Sequence, residues 1–137
     1  MTNTRRILVS VATALASALA IAQTPTQMLQ EFERDARQAD PAFQGFSATR
    51  GEKFFRSPHG GEWSCASCHT DRPAQPGRHA RTGKTIAPLA PAANPRRFAD
   101  PAKAEKWFKR NCNDVLSRPC TPAEKGDVLT WLSGLRK

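Results

Sequence analysis

The chain has 137 residues, with 21 Lys and Arg against 12 Asp and Glu and a formal net charge of +9. Eleven prolines, no tyrosine and few β-branched runs exclude a strand-rich fold, and the length accommodates one small domain rather than two. The expected class is all-α: a single small helical domain.

Arg5 and Arg6 form a positive segment, Ile7 to Ala20 is a short apolar run, and Ala20-Ile21-Ala22 is a small-x-small cleavage site. Residues 1–22 therefore read as a secretory signal peptide and 23–137 as the mature domain, exported to the periplasm. The apolar run of about fourteen residues is short for a membrane span, which needs roughly twenty; an uncleaved anchor is the alternative. No later stretch could cross a membrane, so no stable insertion is expected. Removing 22 of the 137 residues leaves 115, and takes away two basic residues and no acidic ones, so the net charge falls from +9 to +7. Nucleic acid is a poor partner for an exported chain. The charge is left to steer protein partners, or is simply solvated.

Four helices are expected after the signal. Residues 26–39 place Met28, Leu29, Phe32, Ala36 and Ala39 at spacings of three and four, and Asp40-Pro41 ends the pattern. A second helix begins near Ser47 or Thr49, where Thr49-x-x-Glu52 resembles a capping box, and carries Phe54 and Phe55. The turn from Ser57 to Gly61 breaks it.

Next comes Cys65-Ala66-Ser67-Cys68-His69, which reads C-x-x-C-H, the signature of c-type haem attachment. Two thiols three positions apart can add to two vinyl groups on one porphyrin edge, and the following histidine can bind the iron as proximal ligand. Cys65 and Cys68 are the candidate attachment residues for one covalently bound haem c, and His69 the candidate iron ligand. A zinc site would need a second paired motif, which Cys112 and Cys120 do not form. A thioredoxin-like dithiol would need a βαβ setting.

Residues 70–99 hold five prolines, the arginines Arg72, Arg78, Arg81, Arg96 and Arg97, and Lys84. This long loop either wraps the haem, with Ile86, Leu89 and Phe98 as apolar anchors and basic side chains near the propionates, or is disordered. A third helix starts at Asp100-Pro101, with Ala104, Trp107, Phe108, Cys112, Val115 and Leu116 on its apolar face, and stops at Arg118-Pro119. The fourth starts at Thr121-Pro122-Ala123-Glu124, a capping box with proline at the first helical position, and offers Val128, Leu129, Trp131, Leu132 and Leu135 for packing.

The second axial ligand of the iron is the open question. Electron-carrying cytochromes c commonly use methionine, but the chain has only Met1 and Met28, both upstream of the motif. His59 and His79 could serve only by awkward loop paths, and an empty or water-filled site is a simpler alternative. Asn111 lies four residues after Trp107, beside the apolar stripe, where an unsatisfied amide is costly. It is also readable as an exposed asparagine near a helix end.

The stretch Trp107-Phe108-Lys109-Arg110-Asn111-Cys112, with Cys120 eight residues on, resembles the sphaeroides haem protein family. So does Ile86-Ala87-Pro88-Leu89-Ala90-Pro91 through Arg97-Phe98-Ala99-Asp100-Pro101. The related cytochrome c″ group shares the small-disulfide arrangement, and the similarity runs from about Ser47 to Leu132. In that family the residue just before the first disulfide cysteine is the distal iron ligand: asparagine in one branch, histidine in the other. The resemblance thus implies Asn111 as distal ligand of the ferric iron, with Asn113 a nearby decoy. It also implies a dihaem cytochrome c and a membrane cytochrome b as redox partners.

A neutral amide oxygen is a hard, weak donor that suits ferric better than ferrous iron. Reduction should release Asn111 and open the site to small diatomic ligands such as oxygen or nitric oxide. Cys112 and Cys120, left over in an oxidising compartment, are expected to pair; the bridge either only stabilises, or also sets how readily Asn111 leaves. Three functions follow: a diatomic-binding haem protein that exchanges electrons, a plain electron shuttle, and a haem enzyme acting on a small oxygen or nitrogen species. No distal acid–base pair is visible, which weighs against peroxidase-type catalysis.

Overall fold

The computed structural model describes residues 24–136; the expected signal peptide lies outside them. Helix α1 (Pro25–Ala39) is opened by a capping box between Thr24 and Gln27, with Pro25 at the first helical position, and buries Met28, Phe32 and Ala36. Helix α2 (Ala48–Arg56) follows. Of the two expected starts its cap is Ser47, whose hydroxyl accepts from Arg50 N–H at 3.2 Å, and the Thr49 box does not form the cap. Asp127, eighty positions away in sequence, decides the matter by accepting the Ser47 N–H at 2.7 Å, which fixes Ser47 at the helix entrance.

Helix α3 (Ala66–His69) is a single turn containing the second half of the C-x-x-C-H motif. Residues 70–99 are irregular except for a two-residue antiparallel ladder, β1 (Gly77–Arg78) with β2 (Thr85–Ile86), pairing Gly77 with Ile86. Helix α4 (Pro101–Leu116) starts where expected, with the Asp100 carboxylate accepting from Lys103 N–H at 3.0 Å. Helix α5 (Pro122–Gly134) starts at the Thr121–Glu124 capping box. The architecture is all-α, as the composition predicts, with the single turn α3 and the short ladder added to the four expected helices among the described residues.

Helix α5 is the centre. It buries Gly126, Asp127, Val128, Leu129, Trp131 and Leu132, nearly all of its circumference, and packs against both α1 and α2. Phe55 lies against Trp131 at 5.0 Å between ring centroids, and Phe32 of α1 meets Phe108 of α4 edge-on at 5.9 Å. Two glycines permit the close approaches. A Cβ at Gly51 would run into the backbone carbonyl of Asp127, and one at Gly126 would run into the ring of Phe46. The crossing of α2 and α5 is then locked by charge: Arg50 forks onto Asp127 through Nε at 2.7 Å and an Nη nitrogen at 2.9 Å. The Asp127 side chain is 8% exposed, yet its oxygens are met by Arg50 and by Ser47 N–H.

Gly51→Ala must push α2 away from α5. We expect a loss of about 2 kcal/mol in denaturant unfolding of the haem-loaded protein. An unchanged midpoint would show that the two helices part without cost.

Candidate haem-binding site

Ser64 and Ser67 set the single turn of α3 by a reciprocal exchange: Ser64 N–H donates to Ser67 Oγ at 3.0 Å, and Ser67 N–H to Ser64 Oγ at 3.2 Å. His69 N–H then closes the turn on Cys65 O at 3.0 Å. Thr70 ends it with φ 61°, a conformation unusual for a β-branched residue. Residues three and four apart share a helix side, so the turn brings Cys65, Cys68 and His69 together.

The turn is gripped from several directions. Phe55 of α2 lies 6.2 Å from the His69 ring, and Arg56 holds the next residue but one, reaching Asp71 Oδ1 at 3.0 Å. On the loop side, Gly77 passes so close that a Cβ there would run into Cys68 O. Ala80 N–H donates to Cys68 Sγ at 3.3 Å. The loop itself is drawn together by Pro73 O, which accepts from Leu89 N–H at 2.8 Å and Ala90 N–H at 3.0 Å. Residues 70–99 therefore pack against the motif through Gly77 and Ala80, with Phe98 buried and Leu89 against the core.

Both thiols are half-buried and unpaired. Burial pushes the Cys65 thiol up to about 11, which keeps it protonated and argues against a reactive thioredoxin-like dithiol, whose attacking cysteine has a depressed pKa. Among the described residues no three His, Cys, Asp or Glu side chains gather as a metal group, so the zinc reading finds no second pair. His69 is different. Burial first, then the nearby charge of Arg97, pushes its pKa down to about 4, leaving a neutral imidazole with a free lone pair. No hydrogen bond engages that ring among the described residues. Two free thiols and an unengaged neutral imidazole on one turn form a donor set that fits c-type haem.

Asn111 sits on α4, half-buried, and its amide has no hydrogen-bond partner among the described residues. Asn113 is exposed. Helix α4 buries only Ala104 and Cys112, although Phe108 and a 2.7 Å Lys125–Glu105 bridge tie it to α1 and α5. Trp107, expected on the apolar face, is instead 42% exposed, with Arg110 5.6 Å over its ring. It lies one turn before Asn111 on a flank of α4 that is only partly covered.

Cys112 and Cys120 are joined in a disulfide, both buried, with Cα atoms 5.5 Å apart. The bridge spans the end of α4, where Ser117 takes the left-handed conformation, φ 58°, and the start of α5, where Arg118 forks onto Glu124 at 2.7 and 2.8 Å. Of the other candidates, His59 is tethered in its turn, with Nε2 2.8 Å from Phe54 O and its ring on Phe54. His79 Nδ1 accepts from Thr82 N–H in the ladder turn. Arg97, given no separate role in the sequence, is half-buried near His69 and donates to Ala87 O at 2.7 Å, beside Asn94 on Pro88 O at 3.1 Å. The Asn94–Arg97 spacing of three marks a turn without saying what the turn faces.

A family model described as "Domain of unknown function (DUF1924)" matches residues 41–132. Cytochrome c″ of Methylophilus methylotrophus is 40% identical over 121 residues, covering 85% of this chain and 84% of that one. Cytochrome c-type protein SHP of Cereibacter sphaeroides is 43% identical over 132 residues, covering 93% and 97%. The chain belongs to the SHP and cytochrome c″ family. The solved structures agree. Oxidised cytochrome c″ superposes with a TM-score of 0.74 at 38% identity, over 82% of this chain and 95% of that chain. Oxidised SHP, called an oxygen-binding cytochrome c, gives 0.70 at 42% identity, over 82% and 97%. Within this family of c-type cytochromes the present chain has no helix among its described residues long and apolar enough to cross a membrane.

Replacing both Cys112 and Cys120 with serine reopens a short loop. Stability should fall by about 2–3 kcal/mol in denaturant unfolding. An unchanged midpoint would show that the Thr121 cap and the Arg118–Glu124 pair hold the helix end unaided.

Proposed function

We propose that this SHP/cytochrome c″ family member is an exported, periplasmic monohaem cytochrome that binds a small diatomic ligand when reduced and exchanges electrons with other cytochromes. Cys65 and Cys68 hold the haem as thioethers, His69 is the proximal iron ligand, and Asn111 is the distal ligand of the ferric state. When bound, the haem supplies an iron that moves between ferric and ferrous and offers its sixth position to oxygen, nitric oxide or carbon monoxide. The observation that carries the reading is the Asn111 amide: half-buried, without a protein partner, and one residue from a buried disulfide.

The chain's own residues account for the asymmetry. His69 is held on a turn gripped by Phe55, Gly77 and Ala80, so the proximal side has little freedom. Asn111 rides on the sparsely packed α4, anchored next door at Cys112 and free to swing at its own side chain. A neutral amide oxygen would be a weaker donor to ferrous than to ferric iron, and the sparsely packed α4 would do little to hold Asn111 in place. Electrons are expected to come from a dihaem cytochrome c or a membrane cytochrome b, drawn by the positive surface.

Absorption spectra of the ferric and ferrous protein, with and without carbon monoxide, test the assignment in wild type and Asn111→Ala. The expected wild type is a high-spin ferrous form that shifts with carbon monoxide. Asn111→Ala should alter the ferric spectrum and leave the ferrous one nearly unchanged. A low-spin ferrous spectrum indifferent to carbon monoxide would favour a plain shuttle, and an unaltered ferric spectrum in Asn111→Ala would show that another group binds the iron.

A further inference from the structure

From Arg72 to Ala99 the chain contains no acidic residue. Within that stretch the ladder of β1 and β2 presents Arg78, Arg81 and Lys84, all exposed, around one turn. None of the three is in an ion pair with a carboxylate among the described residues. The charge is therefore uncompensated where it stands. Elsewhere on the molecule Arg37, Arg50, Arg56, Arg118 and Lys125 each meet a carboxylate, while Lys103, Lys106, Lys109 and Arg110 on α4 form a second unpaired group among the described residues, not fixed to the motif.

The turn is also built, not slack. His79 N–H donates to Lys84 O, Gly83 N–H returns to His79 O, both at 2.8 Å, and an Arg78 Nη nitrogen donates to Gly83 O at 3.3 Å. Gly83 has φ +66°, which the turn needs. Arg81 lies 4.7 Å over the ring of Trp63, two residues before Cys65. Ala80 N–H is bonded to Cys68 Sγ. A preorganised cationic surface is thus tied at one point to an attachment sulfur and at another to the residue leading into the motif.

We propose that this hairpin is the docking surface for an acidic redox protein, which delivers or takes electrons at the Cys68 edge of the haem. The inference rests on the electron-exchange part of the function proposed above and on no assumption about Asn111. Opposite charge steers the encounter, and the fixed turn has little backbone order left to lose on binding.

The test measures stopped-flow reduction of the haem-loaded ferric protein by a reduced plant-type [2Fe–2S] ferredoxin, used as an acidic probe across a range of ionic strength. A neutral reduced flavin serves as the uncharged control. The hairpin variant is Arg78→Glu with Lys84→Glu, which leaves Arg81 on Trp63. Its counterpart, Lys103→Glu with Lys106→Glu on α4, makes the same change in net charge at a different place. The expected result is a fall of at least tenfold in the ferredoxin rate at low salt for the hairpin variant only, with its salt dependence flattened. The flavin rate should stay within twofold throughout. Equal losses in both variants would overturn the proposal in favour of net charge alone, and a larger loss on α4 would move the docking site there. An unaffected ferredoxin rate, with hairpin-dependent sedimentation on phosphatidylglycerol vesicles, would instead make this a membrane-facing surface. Carbon monoxide binding by the ferrous form, read on the same samples, reports separately on the ligand-binding reading.

Discussion

The contact on which the site depends is the crossing of α2 and α5 at Gly51. With no side chain there, the backbone of α2 can lie against that of α5 at Asp127. The Asp127 carboxylate then reaches both the Ser47 N–H at the entrance of α2 and the Arg50 guanidinium one turn later. A buried carboxylate left alone would be costly, whereas one satisfied from both sides fixes the position of its partners. Phe55 is turned inward as a result, between Trp131 and His69, and the chain leaves α2 aimed at the turn that carries the motif. The order of the proximal side is thus inherited from a helix crossing that contains none of the proposed haem-binding residues.

Helix α4 is held differently. It touches the rest along one narrow stripe: Ala104 in the core, Glu105 with Lys125, Phe108 on Phe32, and the disulfide from Cys112 to Cys120. Between them it buries little, and the flank with Trp107 and Asn111 is only partly covered. The turn that carries His69 is packed from several directions, whereas the helix that carries Asn111 is held less firmly.

Much of this was legible in the chain because it is written locally. The C-x-x-C-H spacing, Asp100-Pro101 and Thr121-Pro122-Ala123-Glu124 each depend on a few consecutive residues, and each appears where the sequence places it. What escaped depends on distant partners. Ser47 and Thr49 were both readable as the start of α2, and the choice of Ser47 rests on Asp127, which in sequence is a polar residue inside an apolar helix. Trp107 has the period of a core residue yet stays exposed, because periodicity defines a face and not what covers it. Arg97 lies in an irregular loop, where no repeat could show that its charge would come near enough to His69 to act on it. Asn111 is the intermediate case: residue type and neighbouring Cys112 drew attention to it, and only the fold shows its amide without a protein partner.

The most direct test of a departing Asn111 is a pair of crystal structures of the haem-loaded protein, one ferric and one ferrous. The ferric structure should place Asn111 Oδ1 within bonding distance of the iron, opposite His69. The ferrous structure should show the same side chain withdrawn, with α3 unmoved. An Asn111 bound in both states, or a sixth ligand from His59, His79 or Met28 in either, would contradict it.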